Sequence, residues 1–193
     1  MRLASGASFR VKIRVAWLKT TLENILAADS TIIGAAGEHY VMSQLLLRDM
    51  IAALAPVNAP NADIVVTNKI GDRLCAIQVK ARKAHRRGWI MNEKHEKLTS
   101  PRLFYCFVDF STSETSPECW IVPAAVVAKA LRDGHHLWLR TPGKKGQPHN
   151  ATKMRYFADH IDGLKSYSLG WLDKYHDVNG WKLLKNVTTA RAK

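Results

Sequence analysis

Four polar residues stand where an otherwise apolar pattern would bury its neighbours: Glu38, Asp63, Gln78 and Lys80. The last three lie on two runs rich in β-branched residues, 62–67 and 73–81, separated by Asn68-Lys69-Ile70-Gly71-Asp72. Such runs on either side of a glycine-containing turn predict a β-hairpin. If it turns about Ile70-Gly71, paired residue numbers sum to about 141, which sets Asp63 opposite Gln78. Side chains alternate along a strand, so Gln78 and Lys80 share one face while Ile77 and Val79 take the other. An acid, an amide and an ammonium then converge, a grouping able to hold a charged partner. The plain alternative is an edge hairpin whose polar residues face water, with Asp63 and Lys80 as a cross-strand ion pair. Asp is disfavoured in strands, and these residues interrupt two buried-looking runs, which argues for a site.

The elements that must position this group follow from periodicity. From Ser30 to Leu54 apolar residues recur at three- and four-residue spacings (Val41, Leu45, Leu46, Met50, Ile51, Leu54), predicting a helix capped by Ser30 or Thr31 and closed by Pro56. Pro56 to Asn61 reads as a loop. Leu103–Phe110 and Cys119–Val122 read as strands joined by the loop Ser111–Pro117, and Pro123 opens a helix running through Leu131. Residues 133–170 are poor in pattern and read as loop-like, and Trp171–Leu184 reads as a short amphipathic piece that packs back. One α/β domain over 29–193 is expected, with a core at 30–132, a C-terminal elaboration at 133–193 and a basic extension at 1–28.

Gly34-Ala-Ala-Gly37-Glu38 on the first helix, Asn61-Ala62-Asp63, and Gln78-Val79-Lys80 together resemble the PD-(D/E)XK nuclease-like superfamily. There, a helix acid precedes a hairpin bearing an Asp and an (E/Q)-x-K triplet. The resemblance covers about residues 30–125 and implies a restriction-endonuclease-like core, a central mixed β-sheet flanked by helices. It implies Mg²⁺ or Mn²⁺, with Asp63 as direct ligand, Gln78 ligating through its side-chain oxygen, the Val79 carbonyl nearby, and Glu38 completing the set directly or through water. Lys80 would orient and help deprotonate the attacking water, or stabilise transition-state charge. Ala62 stands where the family has Pro, and Gln78 where Glu is more usual, removing one negative charge. Mg²⁺ is often held by one or two carboxylates plus waters and substrate phosphate, so Asp63 and Glu38 would suffice.

The charge balance points the same way. Lys and Arg number 29 against 16 Asp and Glu, a formal charge of +13, which implies a polyanionic partner, nucleic acid before an anionic membrane surface. Over Lys80–Arg102 lie Arg82, Lys83, Arg86, Arg87, Lys94, Lys97 and Arg102, opposed only by Glu93 and Glu96. Arg140, Lys144, Lys145, Lys153 and Arg155 form a second basic cluster, in which Pro142-Gly143-Lys144-Lys145-Gly146 reads as a loop suited to clamping a backbone, without P-loop spacing. Trp89, beside the arginines, is the aromatic residue best placed to stack on bases, whereas Trp120, Trp171 and Trp181 lie on apolar segments and read as core. His135-His136 reads as structural. His95 reads as a phosphate contact, an auxiliary base or a satisfied surface residue. Cys75, Cys106 and Cys119 form no C-x-x-C pair and read as small buried residues in a reducing compartment. No apolar run approaches the ~18 residues of a membrane span.

Three readings result. The first is a metal-dependent endonuclease acting on DNA, double-stranded by preference, cytoplasmic or nucleoid-associated, and a homodimer if it cuts both strands. The second is a binding module of the same fold that has lost turnover. The third is a basic α/β protein with no nuclease role.

Overall fold

The computed structural model describes residues 30–83 and 88–189. The basic extension expected at 1–28, and Arg86 and Arg87, lie outside these. Helix α1 runs over residues 30–46, with Gly37, Val41 and Leu45 turned inward at four-residue steps. Ser30 and Thr31 are already helical, so neither caps it. The helix does not reach Leu54 as the periodicity predicts. Asp49 adopts a left-handed φ of 64°, with Met50 N–H donating to the Leu45 carbonyl and Asp49 N–H to that of Leu46. That is a Schellman closure, sealed by apolar contact between Leu45 and Met50, both buried. The chain then leaves as an edge strand, β1 (Ile51–Leu54).

The hairpin forms in the expected register. β2 (Ile64–Thr67) pairs antiparallel with β3 (Cys75–Arg82), with Ile64 opposite Ile77, Val65 opposite Ala76 and Val66 opposite Cys75. Gly71 takes φ 79° in its turn, as the type of turn requires. After β3 come β4 (Gly88–Asn92), a 3-10 turn at Glu93–Lys97, β5 (Leu103–Asp109) and β6 (Glu118–Pro123). The main sheet has the order β1-β2-β3-β5-β6, antiparallel except for the parallel pair β3/β5. It is a mixed sheet with helices on both faces.

One face, with Ile64, Val66, Ile77, Val79, Cys106 and Ile121, packs on α1 and on α3 (Asp177–Thr189) through Val41, Leu45, Trp181 and Leu184. The other, with Tyr105, Phe107 and Val122, packs on α2 (Ala124–Arg140) and on a ribbon of β4 paired antiparallel with β7 (Met154–Ala158). The three free cysteines are buried, as expected.

Residues 133–170 are more ordered than their sequence pattern predicts. α2 continues through Gly134, His135 and His136 to Arg140, although Gly alone costs ~1 kcal/mol in a helix interior. Tertiary packing overrides the propensity: a Cβ on Gly134 would sit 3.2 Å from the Ile161 side chain. β7 escapes periodicity because one of its two inward residues ahead of Ala158 is Arg155, paired with Glu96. Likewise the amphipathic piece expected from Trp171 passes through a 3-10 turn at Asp173–Tyr175 and becomes α-helical only at Asp177.

Candidate functional site

The site is assembled where β2 ends and β3 continues alone. Asp63 immediately precedes β2, and its N–H donates to the Ile77 carbonyl at 2.9 Å, the last rung before the strands part. Its Oδ2 then accepts from the Val79 backbone N–H at 2.7 Å and from Gln78 Nε2. In a strand the N–H and C=O of one residue face the same edge, so the Val79 carbonyl also points past the end of β2. Asp63 and Gln78 are on one side of the sheet, as the register predicts. The amide, however, meets Asp63 through its nitrogen, so Gln78 acts here as a donor holding the carboxylate rather than presenting its oxygen beside it.

Glu38 is delivered by close packing. A Cβ on Gly37 would lie 2.6 Å from the Ala81 Cβ, so only glycine lets α1 settle this low on β3. The next residue, Glu38, thereby enters the field of Asp63 and Lys80. Gly34 has open space around its Cβ position and carries no such constraint. Burial, then the Asp63 carboxylate, raise the Glu38 pKa above the ordinary value, against smaller opposing effects of His39 and Lys80. Lys80, on β3, is lowered by burial, partly countered by Asp63 and reinforced by Lys94. Among the described residues neither Glu38 nor Lys80 makes a hydrogen bond or ion pair. The four predicted residues are together, and their charges are incompletely neutralised.

Whether the donors suit a divalent ion can be judged from their chemistry. Glu38, the second oxygen of Asp63 and the Val79 carbonyl are hard oxygens from three segments, a set that fits Mg²⁺ completed by water and phosphate. The mutual repulsion of Glu38 and Asp63 is what a cation would relieve. Among the described residues no group of three or more His, Cys, Asp or Glu gathers for a metal, so the acid count stays at two.

Beside the cluster opens a cleft of about 600 Å³, floored by Lys80, Ala81 and Arg82 and walled by Ile32 and Ile33 of α1 and by Ile90 of β4. Its basic lining differs from expectation. Arg82 donates from Nε to Asp109 at 2.8 Å and lies 4.0 Å over the Trp89 ring, so it is engaged in the fold. Trp89 itself is 4% exposed, packed against Phe107, Trp120 and Phe157, and cannot stack on a base. Lys83 pairs on the surface with Glu114 at 2.6 Å, and Arg102 donates to the Leu74 carbonyl at 3.4 Å. Lys94 and Lys97 are exposed; so are Lys144 and Lys145, on the turn beyond α2 rather than in the cleft lining. His135 stacks on Trp138 and, with its neighbour, is part of α2.

No protein-family model matches the chain, and no curated protein matches it. Solved structures do. The chain is similar to a bacterial homing endonuclease, I-Ssp6803I, with 11% identity over 81% of this chain and 92% of that one, at a TM-score of 0.47. It is also similar to MepB, with 9% identity over 70% of this chain and 95% of that one, at a TM-score of 0.34.

Two residues near the cluster had weak sequence signals. His95, one of three alternatives from sequence, is buried, with Nδ1 2.7 Å from the Tyr105 hydroxyl. Tyr105 sits unremarked in an apolar strand. Only the strand pairing of Gln78 with Tyr105 brings that residue to the site. No helix of the described residues is long and apolar enough to cross a membrane.

Proposed function

We propose that this chain is a metal-dependent phosphodiesterase acting on DNA, its centre formed by Asp63, Glu38, Gln78, Val79 and Lys80. The observation that carries the reading is the meeting of two carboxylates and one ammonium at the end of β2, beside an open cleft, with no hydrogen bond or ion pair to Glu38 or Lys80 among the described residues. Asp63, Glu38 and the Val79 carbonyl would hold Mg²⁺ or Mn²⁺. Bound there, the ion would polarise the phosphate and yield a nucleophilic water near neutral pH. Gln78 and the Val79 N–H hold Asp63 by Oδ2, so its other oxygen would be the one left for the metal. Lys80, its ammonium disfavoured by burial, is suited to accept a proton from the water or to meet charge on the phosphate. The net charge of +13 supports a nucleic-acid substrate, and exposed Lys94 and Lys97 extend the cationic surface from the 3-10 turn.

A second reading has its own observation. With the Gln78 nitrogen on Asp63 and only two acids, the same centre could bind nucleic acid without turnover. Supercoiled plasmid incubated with Mg²⁺ or Mn²⁺ separates the two. Nicked or linear product that disappears with EDTA is expected; retarded but intact plasmid favours the binding module.

A further inference from the structure

We propose that His95 is a substrate-contacting residue of this centre, held by Tyr105 as a neutral imidazole whose Nε2–H donates to a phosphodiester oxygen. The inference rests on the reading above and deepens it.

The tautomer follows from satisfying buried groups. Tyr105 is fully buried, and among the described residues its hydroxyl has one hydrogen-bond partner, Nδ1 of His95 at 2.7 Å. If Nδ1 carried the proton, the tyrosine hydroxyl would accept it and leave its own hydrogen without a partner in the core, a costly state. The tyrosine must donate, Nδ1 must accept, and the single proton of the neutral ring belongs to Nε2. Burial, then the ammoniums of Lys80 and Lys94, push the His95 pKa down to about 4, so the ring is neutral through the physiological range. Burial and the Asp63 carboxylate push Tyr105 upward, so the phenol keeps its hydrogen.

The ring is also held in place. Asn92 caps the 3-10 turn by accepting from the Lys94 N–H at 3.0 Å, and Glu93 N–H donates to the Lys153 carbonyl at 2.8 Å. The adjacent Glu96 accepts from Arg155 on its carboxylate and from Arg132 on its carbonyl, tying the turn to β7 and α2. A five-residue turn anchored to three elements is a platform, and His95 is its buried residue. Nε2 has no hydrogen-bond partner among the described residues, and is not among their unpartnered nitrogens sealed from solvent. A neutral N–H donor beside the ammoniums of Lys80 and Lys94 suits an anionic oxygen: it offers a hydrogen bond without adding a charge that would compete with a cation.

The test is nitrogen-15 imidazole spectroscopy of the full chain, alone and with a short DNA duplex in EDTA, alongside duplex affinities of His95→Phe and His95→Gln. Expected are a protonated Nε2 and unprotonated Nδ1 for His95, and a shift of its Nε2 signal on adding duplex. Affinity should fall about ten-fold in His95→Phe and largely return in His95→Gln, whose amide can supply a donor near the Nε2 position. The wild-type spectrum decides should His95→Phe fail to fold. A protonated Nδ1, or a signal unmoved by a duplex that binds and, with Mg²⁺, is cut, overturns the role of His95 and leaves the nuclease reading standing. A wild-type chain that neither binds nor cuts duplex overturns both.

Discussion

Lys80 and Arg82 are two residues apart on β3, project to the same side, and meet acids in opposite ways. Arg82 is paired through two guanidinium nitrogens with Asp109 and covers the Trp89 ring. Burial by itself would raise the Asp109 pKa, yet hydrogen bonds from Ser111 and Arg82 outweigh it and leave the carboxyl below its ordinary value. Glu38, near Lys80, is raised instead, and Lys80 is lowered. Each shift there favours the neutral form, as if the fold had gathered the groups without completing their neutralisation. Matched charges stabilise structure; under-neutralised charges beside a cleft are what a reactive centre requires.

The sharpest way to break this contrast is a pair of substitutions with opposite signatures. Lys80→Met should lower the cleavage rate by at least ~100-fold while leaving urea stability unchanged or slightly higher, because a half-buried ammonium with no ion pair among the described residues is lost. Asp109→Ala should do the reverse. It strands a largely buried guanidinium and should cost ~3 kcal/mol by urea denaturation, with activity per folded molecule retained. If Lys80→Met is the destabilising one, the distinction between these two positions of β3 is wrong.

Gln78→Glu sharpens the comparison from within. It replaces a donor to Asp63 with a third carboxylate, so the metal-free protein should lose ~1–2 kcal/mol of stability. Added Mg²⁺ should restore much of it, with tighter binding by calorimetry than in the unmodified chain. Unchanged metal affinity would mean that this position lies outside the coordination sphere.

A further effect expected is a pH dependence from His95. Its folded-state pKa, about 4, lies below the ~6.5 of an unfolded histidine, so between these values the unfolded chain binds more protons. The contribution is therefore full above about pH 6.5 and lost as pH falls towards 4, amounting to ~3 kcal/mol. His95→Gln should flatten the stability profile in that window. An identical slope in the variant would place the ring in a more solvated setting.

The sequence exposed the reacting end of the molecule far better than its scaffold. The hairpin register was legible because a period of two and one glycine turn leave little freedom, and Asp63, Gln78 and Lys80 came with it. Gly37 stood in a visible motif, but its reason, contact with Ala81, needs the packing of α1 on β3. Helical periodicity carried past Asp49 because Met50, Ile51 and Leu54 fit either period, and only a left-handed residue ended it. β4 and β7 went unread because a two-stranded ribbon owes its existence to a partner 68 residues away, Trp89 opposite Phe157, and hides an arginine inside. The same dependence misplaced Trp89 as a base-stacking residue and left His95 undecided between surface and site.

The central claim is that phosphodiester chemistry belongs to the cluster at the end of β2, and cleavage by Asp63→Ala beside the unmodified chain tests it most directly. Both proteins would be compared on supercoiled plasmid with Mg²⁺, at concentrations giving equal DNA occupancy. Cleavage should fall by at least ~1,000-fold in Asp63→Ala, with DNA affinity equal or higher because a carboxylate that repels phosphate is gone. An Asp63→Ala protein that nicks plasmid at the unmodified rate would contradict the assignment.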